Sequence, residues 1–124
     1  MAIGVMIDHI AVPTKDARQS AEFLAGILGL PVSRDGAEDE FFCLRLDGGA
    51  QILFTEAQKF DPIHFALRVS ADVFTVVLER LRAQNLHFGN DPEDVKNGQT
   101  SDPLGGNGRV YFHNADGHLF EVCS

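Results

Sequence analysis

Residues 63–67 of the chain read I-H-F-A-L, and residues 8–12 read D-H-I-A-V. From its second position onward, each stretch carries histidine, an apolar residue, alanine and another apolar residue. Short apolar runs of this kind are typical of β-strands. A strand pattern that recurs in the second half of the chain indicates an internal duplication, which has to be considered before any single motif.

The first half of the chain predicts one helix among several strands. Residues 6–12 form the first strand, and Pro13 is expected to end it. A helix begins at Asp16 and runs to about Leu28, where Gly29 suits the position just after a helix C-terminus. Further strands are predicted from Val32, over 41–46 and over 51–55, the last two forming a hairpin around D-G-G (47–49).

The second half repeats this order. A strand over 63–69 precedes Ser70, which is a good N-cap for a helix over 71–84. A long loop over 89–108 is rich in glycine and is expected to lie over another part of the molecule. The remaining strands are predicted over 86–88, 109–113 and 118–122.

The two halves align through their hairpins when Gly49 is laid on Gly117, which makes Leu53 the counterpart of Glu121. A βαβββ unit cannot bury both faces of its sheet alone, so two such units are expected to share a core. The prediction is therefore a single α+β domain over residues 1–124, built from a unit over 1–57 and a second unit over 58–124.

Charge and composition exclude several classes of partner. The formal net charge is −8 and the sequence pI is about 4.9, which disfavours nucleic acid and anionic membranes because both would be repelled. No apolar run approaches the roughly 20 residues that span a bilayer. The N-terminal residues show no signal-peptide layout, and Cys43 and Cys123 are expected to be reduced core thiols. These features predict a cytoplasmic protein without a nucleic-acid or membrane partner.

Glu121 stands in an otherwise apolar strand between Phe120 and Val122. A buried carboxylate is costly unless a cation or hydrogen-bond donors satisfy it. The duplication offers His9 and His64 at equivalent positions of equivalent strands. Two imidazoles and one carboxylate are the set that binds Fe(II), Mn(II) or Zn(II) on one side and leaves other positions open. His9, His64 and Glu121 are therefore the predicted metal ligands.

The chain resembles the vicinal oxygen chelate superfamily, which includes glyoxalase I, extradiol dioxygenases, fosfomycin-resistance enzymes and bleomycin-binding proteins. The residues that carry the resemblance are I-D-H-I-A-V (7–12), A-E-F-L-A-G-I-L-G-L (21–30), I-H-F-A-L-R-V (63–69) and V-Y-F-H-N-A-D-G-H-L-F-E-V (110–122). The resemblance implies two cupped mixed sheets around one divalent metal (Fe2+, Mn2+, Zn2+ or Ni2+), with a small molecule as substrate. It also implies a homodimer, in which His9 of one chain would join His64 and Glu121 of the other.

Differences between this sequence and particular members of the superfamily narrow the range of expected reactions. Glyoxalase I-like proteins use a fourth ligand where this chain has Leu53, which cannot bind a metal, although Gln51 on the same face could reach in. Fosfomycin-transferase-like members carry Thr or Cys at the position of Ala11. Extradiol dioxygenase-like members carry a tyrosine ten residues before the glutamate, and Tyr111 stands there.

Strand alternation suggests three residues beside the metal. Tyr111 could orient or protonate a metal-bound oxygen, or be a core aromatic. His113 could act as a general base or lie at a surface turn. Arg45 could hold a substrate oxygen or be a solvated strand residue. His118 should point away from the site.

Two functions follow from these features. The first is a divalent-metal-dependent enzyme, glyoxalase- or dioxygenase-like, that acts on a small substrate with two vicinal oxygens through a three-ligand site. Its reaction would be of the dioxygenase, lyase, isomerase or transferase type. The alternative is a metal-independent protein of the bleomycin-resistance type that binds and sequesters a small molecule. The intact pair of histidines with Glu121 favours the enzyme.

Overall fold

The structure is a computed structural model, and it describes residues 4–35 and 41–124. Two compact units divide the chain, Met1–Phe60 and Asp61–Ser124. Each unit contains one mixed sheet and one α-helix, so the chain has the predicted α+β class. None of the helices in the described ranges is long and apolar enough to cross a membrane.

The first unit forms a four-stranded sheet in the order β1-β4-β3-β2. Strand β1 runs parallel to β4, and the other two pairs are antiparallel. A short 3-10 turn at Asp47–Gly49 joins β3 to β4. The elements are β1 (His9–Thr14), α1 (Ala17–Leu28), β2 (Ser33–Asp35), β3 (Phe41–Arg45) and β4 (Gln51–Glu56). The segment between β2 and β3, residues 36–40, lies outside the described residues.

Helix α1 begins and ends where the sequence predicts. The side chain of Asp16 accepts a hydrogen bond from the backbone N–H of Gln19 at 3.1 Å, which satisfies one of the free donors of the first turn. Gly29 has φ of 76°, the left-handed conformation that ends a helix at low cost for glycine. The helix packs against β1, β3 and β4 through its buried residues Ala17, Ser20, Ala21, Leu24, Ala25 and Ile27.

The prediction that Pro13 ends the first strand is wrong. Strand β1 begins later, at His9, and continues through Pro13 to Thr14, with Pro13 opposite Thr55. Proline lacks the N–H that a central strand would need. In the described sheet β1 pairs only with β4, so it is an edge strand, where proline is tolerated.

The second unit forms a three-stranded sheet in the order β5-β7-β6. Its β5 and β7 are parallel, and β6 and β7 are antiparallel. The side chain of Ser70 accepts from the backbone N–H of Val73 and caps the helix. The elements are β5 (His64–Arg68), α2 (Ala71–Ala83), β6 (Arg109–His113) and β7 (Leu119–Cys123).

The predicted strand at 86–88 does not form, so the second unit has one strand fewer than expected. A single antiparallel bridge, Gly89 to Tyr111, stands in its place. The backbone around this bridge forms its hydrogen bonds with loop residues instead. The carbonyl of Phe88 accepts from Gly98 N–H, and the N–H of Asn90 donates to Asn97 Oδ1. These bonds replace the ladder that a longer strand would need.

Both sheets use the same strand register. In the first unit Ala11 lies opposite Leu53, and in the second Ala66 lies opposite Glu121. The hairpin alignment made from the sequence is therefore confirmed. Leu53 occupies the position in the first sheet that Glu121 occupies in the second.

Alternation along the second sheet separates an apolar face from a polar one. Phe112 and Phe120 lie on the apolar face with ring centroids 5.8 Å apart and edge-on geometry, and both are fully buried. Helix α2 has a buried stripe of Phe74, Val77 and Leu81. The opposite face of this sheet carries the polar side chains described next.

Candidate metal site

His64 and Glu121 meet on the polar face of the second sheet. The parallel register places Ala66 opposite Glu121, so His64, two residues earlier on β5, projects from the same face. Its Nε2 lies 2.7 Å from Oε1 of Glu121. The carboxylate side chain is only 7% exposed, whereas that of the histidine is 48% exposed. The pair therefore presents a buried anion beside an imidazole that solvent or a ligand can reach.

Arg109 satisfies the other oxygen of this carboxylate. It is the first residue of β6, and its Nη1 donates to Oε2 of Glu121. On its other side Arg109 forms a two-pronged contact with Asp102, with Nε 2.9 Å from Oδ1 and Nη2 3.4 Å from Oδ2. The pKa of Arg109 is raised, mainly by its hydrogen bond to Asp102. The guanidinium is therefore a permanent cation between two carboxylates.

Asp102 is held by the end of the long loop. Its Oδ1 accepts from the N–H of Leu104 at 2.8 Å and its Oδ2 from that of Gly106 at 3.1 Å. The hydrogen bond to Arg109 is the largest cause of a lowered pKa at Asp102. A Cβ at position 106 would lie 2.4 Å from Oδ2 of Asp102 and 2.6 Å from the carbonyl of Ser124. Only glycine fits there, so the turn fixes where the Asp102 carboxylate points.

Tyr111 lies beside the pair. It stands directly opposite Glu121 in the antiparallel ladder of β6 and β7, and its ring centroid is 5.9 Å from that of His64. Burial, and then the negative charge of Glu121, raise the pKa of the Tyr111 hydroxyl. The phenol is therefore protonated at neutral pH and can act as a hydrogen-bond donor.

The other predicted site residues occupy different places. His113 is exposed at the end of β6, opposite Leu119. Arg45 is exposed at the end of β3 in the first unit. His9 begins β1 in the first unit, with Nδ1 2.7 Å from Oδ2 of the exposed Asp8.

His118, expected to point away from the site, has a structural contact. It is fully buried, and its Nδ1 accepts a hydrogen bond from the backbone N–H of Ile63 at 2.9 Å. This bond ties the start of β7 to the residue before β5.

Sequence reasoning missed Arg109 and Asp102. It inferred that the buried carboxylate of Glu121 needs a cation, and the structure shows that Arg109 already supplies one. The alternation of side chains along β6 could have identified Arg109, because it lies two positions before Tyr111 and so projects from the same face. Nothing in the sequence pattern links Asp102 to it across the intervening loop.

The donor set of the second unit fits part of a metal site. Taken unit by unit, the described residues contain no group of three His, Cys, Asp or Glu side chains that could hold a metal ion. His64 Nε2 and Glu121 Oε1, which lie 2.7 Å apart, are nevertheless a nitrogen and an oxygen of the types that bind metals. Carboxylates that bind metals are commonly fixed by a further hydrogen bond, such as the one that Arg109 donates here. This unit thus brings together two groups of the types that bind metals, and a metal site with three protein ligands would need one more.

Comparison with known proteins assigns the sequence to a family. The family model "Glyoxalase/Bleomycin resistance protein/Dioxygenase superfamily" matches residues 6–122. The chain therefore belongs to this superfamily. Among the curated proteins, none matches the sequence.

Solved structures agree with this assignment. The proteins "Oxidase ChaP-H2" and "Oxidase ChaP-H1" are 30% and 29% identical, each with a TM-score of 0.88 over 98% of this chain and 94% or 96% of theirs. The fosfomycin resistance protein FosX from Listeria monocytogenes, solved as a mutant with Mn(II) and 1S,2S-dihydroxypropylphosphonic acid, is 21% identical with a TM-score of 0.66. That match covers 99% of this chain and 90% of FosX, and it supports the fold alone.

Proposed function

We propose that this chain is a divalent-metal-dependent enzyme that acts on a small substrate through two vicinal oxygens. His64 and Glu121 are two of the metal ligands, and His9 is the third. The observation that carries the proposal is the 2.7 Å approach of His64 Nε2 to Glu121 Oε1 on one sheet face. Two histidines and one carboxylate leave the remaining positions of a divalent ion open to substrate.

A bound ion at this site would polarise the two substrate oxygens. Side chains of the protein would orient the substrate and donate protons to it. The Tyr111 hydroxyl, which is protonated and adjacent to Glu121 in the ladder, would donate a hydrogen bond to a substrate oxygen. The half-exposed ring of His64 leaves that side of the site accessible.

His113 and Arg45 have less support as catalytic groups. Each is exposed at a strand end, unlike the buried Tyr111. They are proposed to contact the substrate's outer part rather than the reacting oxygens.

The comparisons favour an oxidative reaction among the chemistries of the superfamily. The two oxidases match nearly the whole of this chain, whereas the four-ligand glyoxalase arrangement would need a ligand in place of Leu53. The proposed reaction is therefore dioxygenase-like, with molecular oxygen as the oxidant of a substrate that bears two neighbouring oxygen atoms.

The proposed assembly is a homodimer in which each site is shared. His9 of one chain would join His64 and Glu121 of its partner copy. Within its described residues the second unit brings together two of the proposed ligands, His64 and Glu121, so the third is proposed to come from outside this unit.

A second function is favoured by one observation. Arg109 and His64 already satisfy both oxygens of Glu121, so this buried carboxylate does not require a metal. A protein of the bleomycin-resistance type could bind a planar small molecule on the same face without an ion.

Metal analysis separates the two functions. The protein is purified with and without supplementation by Fe(II), Mn(II), Zn(II) or Ni(II), and its bound metal is measured together with turnover of catechols and of fosfomycin. If the protein is the proposed enzyme, about one bound ion per site and metal-dependent turnover are expected. A protein that stays free of metal after supplementation and still binds small planar ligands would establish the second function instead.

A further inference from the structure

The second unit contains a buried row of alternating charges, Asp102, Arg109 and Glu121. The side chains of these residues are 2%, 9% and 7% exposed, respectively. Burying three charged groups is costly unless each has a partner. Arg109 bridges the other two, and Asp102 is in turn fixed by two backbone N–H groups of its turn.

Within this row, Arg109 is hydrogen-bonded to only one of the two carboxylate oxygens of Glu121. Arg109 donates to Oε2, while Oε1 faces His64 Nε2. The guanidinium is anchored at two points on Asp102, so its planar donor fork has little freedom to turn away. The two carboxylate oxygens are therefore unequal.

We propose that Arg109, locked by Asp102, is a positioning residue that withholds Oε2 of Glu121 and leaves Oε1 as the single ligand atom for the ion. This inference rests on the proposed metal-dependent function. Without Arg109, both oxygens of the carboxylate would be available, and a carboxylate can bind a divalent ion through one oxygen or through two. By keeping the glutamate to one oxygen, Arg109 preserves an open position for a substrate oxygen.

The number of water molecules on bound Mn(II) measures this effect directly. Mn(II) prefers six ligands, so a second oxygen from Glu121 would displace one water. The count comes from the relaxation of solvent protons by the protein-bound ion, and it does not depend on turnover. With one ligand atom from each of three residues, wild-type protein is expected to keep about three waters, and Arg109→Met about two.

Two further variants keep the test sound if Arg109→Met alone does not fold. That change leaves the buried carboxylate of Asp102 without its cationic partner. The double variant Arg109→Met with Asp102→Asn removes both charges, and an asparagine oxygen can still accept from Leu104 N–H. The double variant is also expected to show about two waters, whereas Arg109→Lys, which keeps a cationic donor, is expected to stay close to wild type.

Arg82→Met is the matched control. Arg82 is exposed on α2, where its guanidinium lies over the ring of Phe88, and its loss is expected to leave the count unchanged. An unchanged water count in folded Arg109→Met, alone or together with Asp102→Asn, would overturn the positioning role, whatever happens to Mn(II) affinity. Wild-type protein that binds no metal at all would overturn the proposed function itself, so the two failures are distinct.

Discussion

His64 and Glu121 face each other across the parallel strands β5 and β7, with Nε2 2.7 Å from Oε1. They are 57 positions apart in the sequence, and the strand register alone brings them together. The carboxylate is buried and the imidazole is half exposed. This combination places a buried carboxylate beside an accessible imidazole, two of the group types from which a divalent metal site can be built.

Glu121→Gln should abolish tight metal binding while keeping the fold. The amide retains the shape and an oxygen that can accept from Arg109, but it removes the negative charge that attracts the ion. Loss of groups that merely support a ligand typically weakens metal affinity 10- to 100-fold, so loss of a ligand should cost at least about 100-fold. Calorimetric titration with Mn(II) measures this.

Glu79→Gln provides the control for the loss of one carboxylate, because Glu79 is exposed on α2. Its affinity for Mn(II) should equal that of wild type. If Glu121→Gln binds Mn(II) as tightly as wild type, Glu121 is not a ligand.

Tyr111→Phe should lower the rate of the reaction without changing the affinity for the metal. The ring stays packed beside His64, and only the hydroxyl is lost. If that hydroxyl donates to a substrate oxygen, kcat should fall on the order of 100-fold, a typical contribution of a positioned proton donor. Metal affinity should remain within about twofold of wild type, since the phenol is not a proposed ligand.

The exposed His87 is the comparison residue for this experiment. His87→Ala should preserve both kcat and metal affinity. Equal turnover by Tyr111→Phe and wild type, on the substrate found by the activity screen, would assign Tyr111 to the core only.

Much of the fold could be predicted because its signals are local. Asp16 and Ser70 cap the helices as expected, and the alternation of the closing hairpin placed Glu121 and Tyr111 on one face. The expectation at Pro13 failed because a strand's place within the sheet, at its edge, is not a local property.

Other features depended on contacts that leave no periodic signal. The strand expected at 86–88 is replaced by bonds to the loop, including that from Asn90 N–H to the Asn97 side chain. Asp102 and Arg109 meet because a glycine-containing turn folds back between them. Such side-chain contacts within a loop follow neither a helical nor a strand period, so only the structure reveals them.

Acid should destabilise the protein partly through Asp102. The pKa of this carboxyl lies below its usual 3.8, first because of the hydrogen bond from Arg109. A lowered native pKa means that the ionised form stabilises the fold at pH values above 3.8, and that this contribution is lost as the pH falls through the lower native value. The melting temperature of wild type should therefore drop more steeply below about pH 5 than that of Asp102→Asn.

Thermal melts from neutral pH down to about pH 3 test this. Asp102→Asn should be less stable than wild type at neutral pH, and the two curves should converge in acid. Asp61→Asn, at an exposed position before β5, should follow wild type throughout. Parallel curves for wild type and Asp102→Asn would show that the ionisation of Asp102 contributes nothing to the pH dependence of stability.

Mixing two defective variants should restore binding if each site is shared between chains. His9→Ala and Glu121→Gln are expected to bind Mn(II) weakly when each is alone. In a mixed dimer with shared sites, one site would carry both defects and the other would be intact. Random pairing makes half of the dimers mixed, so about one quarter of the wild-type sites should be recovered.

The matched control mixes His64→Ala with Glu121→Gln. Both changes lie in the second unit, so a mixed dimer would have one defect in each site, and no recovery is expected whichever way the sites are built. The recovery of sites is measured by Mn(II) titration after the variants are unfolded and refolded together. Failure of the first pair to recover any sites, or a monomeric mass for the wild-type protein, would show that His9 does not complete the site of a partner copy.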